Sequence, residues 1–179
     1  MKYIVISDIH GSSYYAHKID EIIQKEQPEK IILLGDLYYH GPRNSLTKEY
    51  DPIEVSNVLN KYASKILCTR GNCDAEVDEM ISDFEFKDTI KIEINGKNFF
   101  FTHGHNYNID NIPENTDVLI YGHFHTGYIK EKKGVFCINS GSIALPREET
   151  KNSYLTIDDN KIILKDVEGN KIDEIEYKK

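Results

Sequence analysis

The chain has no tryptophan, five prolines and two methionines, and its three cysteines are an odd, sparse set. Cys68, Cys73 and Cys137 cannot build the disulfide framework of a small secreted domain, which points to a reducing compartment. Long apolar runs are also missing. The N-terminal run at residues 3–6 is too short for a secretory signal, and no later stretch has the length needed to cross a bilayer. A cytoplasmic protein without a membrane partner is therefore expected. Basic residues are outnumbered, 22 Lys and Arg against 30 Asp and Glu, for a formal net charge of -8. Phosphate backbones are gripped by clustered Lys and Arg, so stable nucleic-acid binding is not expected either. Internal repeats, low-complexity segments and Pro/Gly/Ser linkers are absent, and 179 residues suit a single domain over 1–179.

What is present divides into two halves. Short apolar runs at 3–7, 31–34 and 65–69 suit buried strands of a largely parallel sheet. Between them, 17–25 puts Ile19, Ile22 and Ile23 on one helical face, and 53–62 does the same with Val55, Val58, Leu59 and Tyr62. Asp51 before Pro52 reads as a helix start. From residue 89 onward the pattern alternates. Asn95-Gly96 is a type I′ hairpin signal between 89–94 and 98–102, and further strands are expected at 117–121, 128–132, 135–138 and 153–157. The stretch after Asp158 reads as half-buried terminal strands. Strand–helix alternation followed by hairpins suggests two packed sheets with helices outside.

The chemistry-bearing residues follow the ends of expected strands. Asp8-Ile9-His10 follows the first, Gly35-Asp36 the second and Gly71-Asn72-Cys73-Asp74 the third. His103-Gly104-His105 and Gly122-His123-Phe124-His125 follow later ones. Loops beyond the carboxyl ends of strands in an open α/β sheet converge on one crevice. Imidazoles with carboxylates suit borderline divalent ions such as Mn, Fe, Zn, Co or Ni. A pair of such ions roughly 3.5–4 Å apart can clamp the attacking and leaving oxygens of a phosphoryl displacement. Asp36, alone in its loop, is the natural bridge. Singly, these motifs have ordinary readings: a capping Asp, a turn, a surface His pair. Together they do not, because five of only seven histidines fall at these loops.

The ordered set SDIHGS, LGDLYYHGPRN, RGNCDAEVD, THGH, YGHFH and NSGS resembles the calcineurin-like metallophosphoesterase superfamily, and more closely its YfcE-type phosphodiesterase family. The resemblance implies a four-layer α/β/β/α sandwich of two mixed sheets flanked by helices. It implies two divalent metal ions, Mn first, with Ni, Co, Fe or Zn as alternatives. Asp8, His10, Asp36 and His125 would hold one metal, and Asp36, Asn72, His103 and His123 the other. Asp36, Asn72 and His103 are assigned to catalysis, and a metal-bridging hydroxide would attack a small phosphodiester. The natural substrate is not named by the resemblance. Self-association into a homo-oligomer is a further expectation from it.

Many superfamily members carry His where this chain has Cys73. The YfcE-like subgroup shares the Cys, which tilts the reading towards diesters and leaves the general acid unassigned. Cys73 is read as supporting the site rather than reacting, and Asp74 and His105 as buttresses of the ligand loops. NSGS replaces the more usual NPGS, with little functional effect expected. His40 and Arg43 are the substrate-side candidates, since a guanidinium holds two phosphate oxygens in a fork; the competing reading has Arg43 paired with a nearby acid. Rival functions are a phosphomonoesterase on the same cage and a non-catalytic scaffold like the retromer metallophosphoesterase-like subunit. Loss of ligands usually accompanies the latter, and every expected ligand is in place.

Overall fold

The computed structural model describes residues 1–177. Its first sheet has seven strands. Four run along the chain's first half: β1 (Tyr3–Ile6), β2 (Lys30–Leu33), β3 (Ile66–Thr69) and the two-residue β4 (Phe86–Lys87). They pair parallel in that order. On the other edge of β1 lie three antiparallel strands from the C-terminal part. In chain order these are β10 (Ser153–Ile157), β11 (Lys161–Asp166) and β12 (Lys171–Glu176). The second sheet comprises β5 (Ile90–Ile94), β6 (Lys97–Phe101), β7 (Val118–Tyr121), β8 (Tyr128–Lys132) and β9 (Val135–Asn139), ordered β5-β6-β7-β9-β8. The hairpin expected at Asn95-Gly96 joins β5 to β6, with φ of 53° and 77° at the two positions, as a type I′ turn requires.

Two helices cross back over the first sheet. α1 (Ser13–Glu26) begins four residues before the apolar spacing alone indicates, because the Ser12 hydroxyl caps it by accepting from the Tyr15 amide. α2 (Pro52–Asn60) starts where Asp51-Pro52 places it, with the Asp51 carboxylate accepting from the Glu54 amide at 3.0 Å. Period-two alternation then sorts the core. Ile4, Ile6, Ile31 and Leu33 point to the helices and meet Ile19, Ile23, Val55 and Leu59. Tyr3, Val5, Ile32 and Leu34 point the other way and meet Phe99, Phe101, Val118 and Ile120 between the sheets. β1 is buried on both faces, which is why its four residues read as a continuous apolar run.

The two mixed sheets stack as expected, but the flanking layers are unequal. α1 and α2 cover one outer face. Over the other, among the described residues, no helix lies; Phe100, Leu119, Tyr121 and Cys137 are covered by Tyr107, Ile109 and Ile112 from the irregular stretch 104–116. That stretch holds itself with side-chain amides: Asn108 Nδ2 donates to the Gly104 carbonyl and Asn111 Nδ2 to that of Asn106. No described helix is long and apolar enough to cross a membrane. Cys68 and Cys137 are buried, free core residues.

Candidate metal centre

The loops after β1, β2, β3, β6 and β7 meet at one end of the two sheets. Their side chains converge because the backbone is forced into an uncommon conformation. Asp8, His10, Asp36, His123 and His125 have φ of 58°, 49°, 54°, 65° and 60°, the left-handed region that non-glycine residues avoid at a cost of roughly 1–2 kcal/mol each. Five of the seven expected ligands are thus held in strained backbone. Close backbone approach adds a second constraint. A Cβ at Gly71 would collide with the Asp36 carboxylate, and one at Gly122 with Ser7 Oγ and Asp8 Oδ2. The glycines of the Gly-Asn and Gly-His motifs therefore make room for the neighbouring strand's acid.

The acids are fixed by hydrogen bonds on one oxygen and left open on the other. Asp8 Oδ2 accepts from Ser7 Oγ at 2.5 Å and from the His123 amide at 3.0 Å. Asp36 Oδ1 accepts from the Cys73 amide at 2.8 Å. Asp8 Oδ1 is buried and accepts no hydrogen bond. It faces His125 Nε2 at 3.1 Å and His10 Nε2 at 3.5 Å.

The histidines explain why that is unstable as it stands. His10, His125 and His103 each place Nδ1 against a backbone carbonyl: Tyr39 at 2.8 Å, Leu145 at 2.7 Å and Leu34 at 2.7 Å. A neutral imidazole that donates through Nδ1 presents a lone pair at Nε2. The three Nε2 atoms therefore aim lone pairs at carboxylate oxygens, a repulsion that only an added positive charge relieves. A proton is one such charge. Burial opposes protonation of His103, but the Asp36 and Asp8 carboxylates outweigh it and raise the group to about 9. Burial would likewise raise Asp8, yet His10, His125 and His103 hold it well below the usual carboxylate range. His123 is the exception: burial and the adjacent His103 push it down to about 4, so its ring is neutral at pH 7.

Two donor sets emerge. Asp8 Oδ1, His10 Nε2 and His125 Nε2 form the first, with the two imidazole nitrogens 3.2 Å apart. His103 Nε2 centres the second, with Asn72 Oδ1 at 3.0 Å and His123 Nδ1 at 3.2 Å. Asp36 Oδ2 joins both, 3.6 Å from His10 Nε2 and 3.3 Å from His103 Nε2. Donors about 2.1 Å from a divalent ion and at right angles around it lie about 3 Å apart. The residues present thus fit a divalent cation in each set, with Asp36 common to the two.

The supporting residues divide. Asp74 accepts three backbone amides, from Asp36 at 2.8 Å, Leu37 at 2.9 Å and Gly71 at 2.7 Å, clamping the Asp36 loop onto the Asn72 loop. Burial, helped by the Asp36 charge, raises Asp74 to about 6 against those bonds. The Cys73 thiol is pushed up to about 12 by burial and the Asp36 carboxylate, so it is a poor proton donor at neutral pH. His105 lies beside His103, ring centroids 5.4 Å apart, but its Nε2 bonds the Asn106 side chain and it lines a neighbouring cavity. Ser140 donates its amide to the Tyr121 carbonyl at 2.9 Å, a bond that a proline there could not make.

A cleft of about 550 Å³ opens above the donor sets. Arg43 lines it and forms no ion pair among the described residues, so the alternative of an acid-paired Arg43 is not what the structure has. His40 does not line the cleft. Its Nδ1 bonds the Asn44 carbonyl and its ring packs edge-on to Tyr39 and Tyr50, where it shapes the loop that carries Arg43. Sequence reasoning missed Phe124, Lys130 and Arg147, which also line the cleft. Phe124 sat inside a recognised motif and could have been flagged as exposed; nothing local marks Lys130 or Arg147.

Known proteins bear on this site. A family model described as the calcineurin-like phosphoesterase superfamily domain matches residues 1–161. The chain is 35% identical over 163 residues to phosphodiesterase YfcE of Escherichia coli K12, covering 89% of each. It is 30% identical over 151 residues to phosphodiesterase MJ0936 of Methanocaldococcus jannaschii, covering 79% of this chain and 83% of that one. The solved YfcE structure superposes with a TM-score of 0.96 over 99% of this chain and 100% of that one, at 31% identity. Vacuolar protein sorting 29 from Cryptosporidium parvum shares the fold, with a TM-score of 0.65 at 16% identity over 98% of this chain and 97% of that one.

Proposed function

The chain belongs to the calcineurin-like phosphoesterase superfamily, and from that premise we propose that it hydrolyses phosphodiesters with two divalent cations, which the two donor sets sharing Asp36 would hold. The observation that carries the reading is the unbonded Asp8 Oδ1 facing imidazole lone pairs, beside a second donor set that shares Asp36 Oδ2. Cations bound there would activate water and neutralise the phosphoryl oxygens. Asp8, His10 and His125 would hold one cation, and Asn72, His103 and His123 the other. Arg43 orients the diester through its fork of N–H donors. As the bond from water oxygen to phosphorus forms, the ester P–O bond breaks, releasing an alcohol and a monoester. With Cys73 in place of an imidazole and no other side chain in that role, the leaving group takes its proton from water, which favours good leaving groups. The likeness to phosphodiesterases YfcE and MJ0936 supports diesters over monoesters. The scaffold alternative rests on a likeness of fold at 16% identity, against 31% for the solved YfcE structure.

The test strips the protein with chelator, restores Mn, Ni, Co or Zn, and compares bis-p-nitrophenyl phosphate with p-nitrophenyl phosphate. Metal-dependent turnover that favours the diester and vanishes in Asp36→Asn is expected, with Mn the most effective ion. Binding of metal with both esters left intact would overturn the reading in favour of a scaffold.

A further inference from the structure

The cleft that holds Asp36 and Arg43 carries further positive charge that a single scissile phosphate does not need. Arg147 and Lys130 line it, and neither forms an ion pair among the described residues. Arg147 is delivered by the segment that orients His125. Its amide donates to the His125 carbonyl at 2.9 Å, while the Leu145 carbonyl accepts from His125 Nδ1 at 2.7 Å. Glu148 and Glu149 follow with φ of 52° and 59°, so the turn is kept against a backbone cost at both positions. One guanidinium nitrogen of Arg147 reaches Asn44 Oδ1 at 3.1 Å, which steadies the side chain and leaves other N–H groups unused. Lys130 projects from β8 with Nζ 4.4 Å from the Tyr128 ring centroid.

Besides Asp36, two carboxylates line the cleft, Asp110 and Glu148. Asp110 is already taken by Lys132 Nζ at 3.0 Å, and Glu148 meets Thr126 Oγ1 at 3.4 Å. Neither Asp110 nor Glu148 is within ion-pair distance of Arg147 or Lys130, so both cations line the cleft unpaired among the described residues, in a chain whose net charge is -8. Phe124, 43% exposed, stands beside His123 with ring centroids 5.0 Å apart and offers a flat apolar face in the same cleft. The cleft volume, about 550 Å³, suits a ligand of nucleotide size.

We infer that Arg147 and Lys130 form an anion subsite for a second, non-reacting phosphate of the substrate, with Phe124 supporting the ring that joins the two phosphates. The substrate class is then a nucleotide-like phosphodiester that also bears a phosphate monoester. The inference rests on the phosphodiesterase reading above and adds what the diester must carry.

The test uses two esters with the same scissile bond, the p-nitrophenyl ester of thymidine 5′-phosphate and the same ester with an added 3′-phosphate. Metal-loaded protein is expected to favour the second about tenfold in kcat/KM, mainly through KM, equivalent to about 1.4 kcal/mol. Arg147→Gln/Lys130→Gln brings the ratio near one, Arg147→Lys alone keeps most of it, and Lys18→Gln on α1 leaves it unchanged. A ratio near one in the unaltered protein, or an undiminished ratio in the double variant, overturns the subsite. Calorimetry separates the two readings. Thymidine 3′,5′-bisphosphate binding more tightly than thymidine 5′-phosphate, and only with Arg147 and Lys130 present, upholds the subsite even without turnover, in which case only the enzyme reading falls. Equal binding of the two overturns the subsite.

Discussion

The donor set around Asp8 and the set around Asn72 share Asp36, yet they are built to different standards. In the first, Asp8, His10 and His125 are all buried, at 0%, 1% and 3% exposure, and both imidazoles are locked by backbone carbonyls. In the second, only His103 has that lock. Asn72 is exposed, and His123 is half-buried and leans on ring contacts with His103 and Phe124. Pre-organised buried donors bind without ordering costs, whereas exposed donors must first be immobilised. The lesson is that one shared carboxylate can join a fixed donor set to a more adjustable one along the same cleft.

Asp36→Asn breaks both sets at once and should have the largest effect. Turnover of bis-p-nitrophenyl phosphate is expected to fall by at least about 10³-fold, as when a main electrostatic stabiliser is removed, with fold retained by circular dichroism. His125→Ala and His123→Ala separate the two sets. In Mn titrations, His125→Ala should remove the tighter class of binding, while His123→Ala should weaken the looser class by about 10–100-fold and spare the tighter one. Equal losses in both variants would erase the distinction. Asp74→Asn puts an amide N–H against backbone N–H donors of Asp36, Leu37 or Gly71, and should cost about 2–3 kcal/mol in denaturant unfolding together with a drop in kcat.

Far from the centre, Glu26 gives a contrast in which stability changes and chemistry does not. It accepts from Lys165 Nζ at 2.7 Å, Lys2 Nζ at 2.5 Å and Tyr154 at 3.0 Å. Burial alone would raise this carboxyl, but these partners lower it from 4.5 to about 2. A folded-state value below the unfolded one gives stability that is complete above pH 4.5 and is lost as pH falls towards 2. Glu26→Gln should therefore lower Tm at pH 7, by about 1–3 kcal/mol of stability, and the gap from the unaltered protein should shrink below pH 4.5. Turnover should stay within twofold. An unchanged Tm at pH 7 would show the cluster to be energetically silent.

The comparison also marks what could be read from residues alone. β1, β2 and β3, the Asn95-Gly96 turn and the Asp51-Pro52 helix start follow local rules of burial, period and turn chemistry, so the sequence exposes them. The seven donors were legible because each follows a strand end. The strain holding five of them was not, since a left-handed Asp or His leaves no compositional trace. His40 shows the opposite difficulty. Its place in the HGPRN loop suggests substrate contact, but Tyr39, Tyr50 and the Asn44 carbonyl turn it inwards. Arg147 reaches the cleft from more than a hundred residues beyond Asn44, the residue it bonds across that opening. The irregular cover over Phe100 and Leu119 was equally hidden, because side-chain amides of Asn108 and Asn111 do there what helix periodicity does elsewhere.

The central claim is a cation pair joined through Asp36, and electron paramagnetic resonance of the Mn-titrated protein tests it most directly. Exchange-coupled Mn pairs, appearing once the tighter position is filled and lost in Asp36→Asn, are the predicted result. Saturation at one Mn per chain with the six-line spectrum of an isolated ion would contradict it.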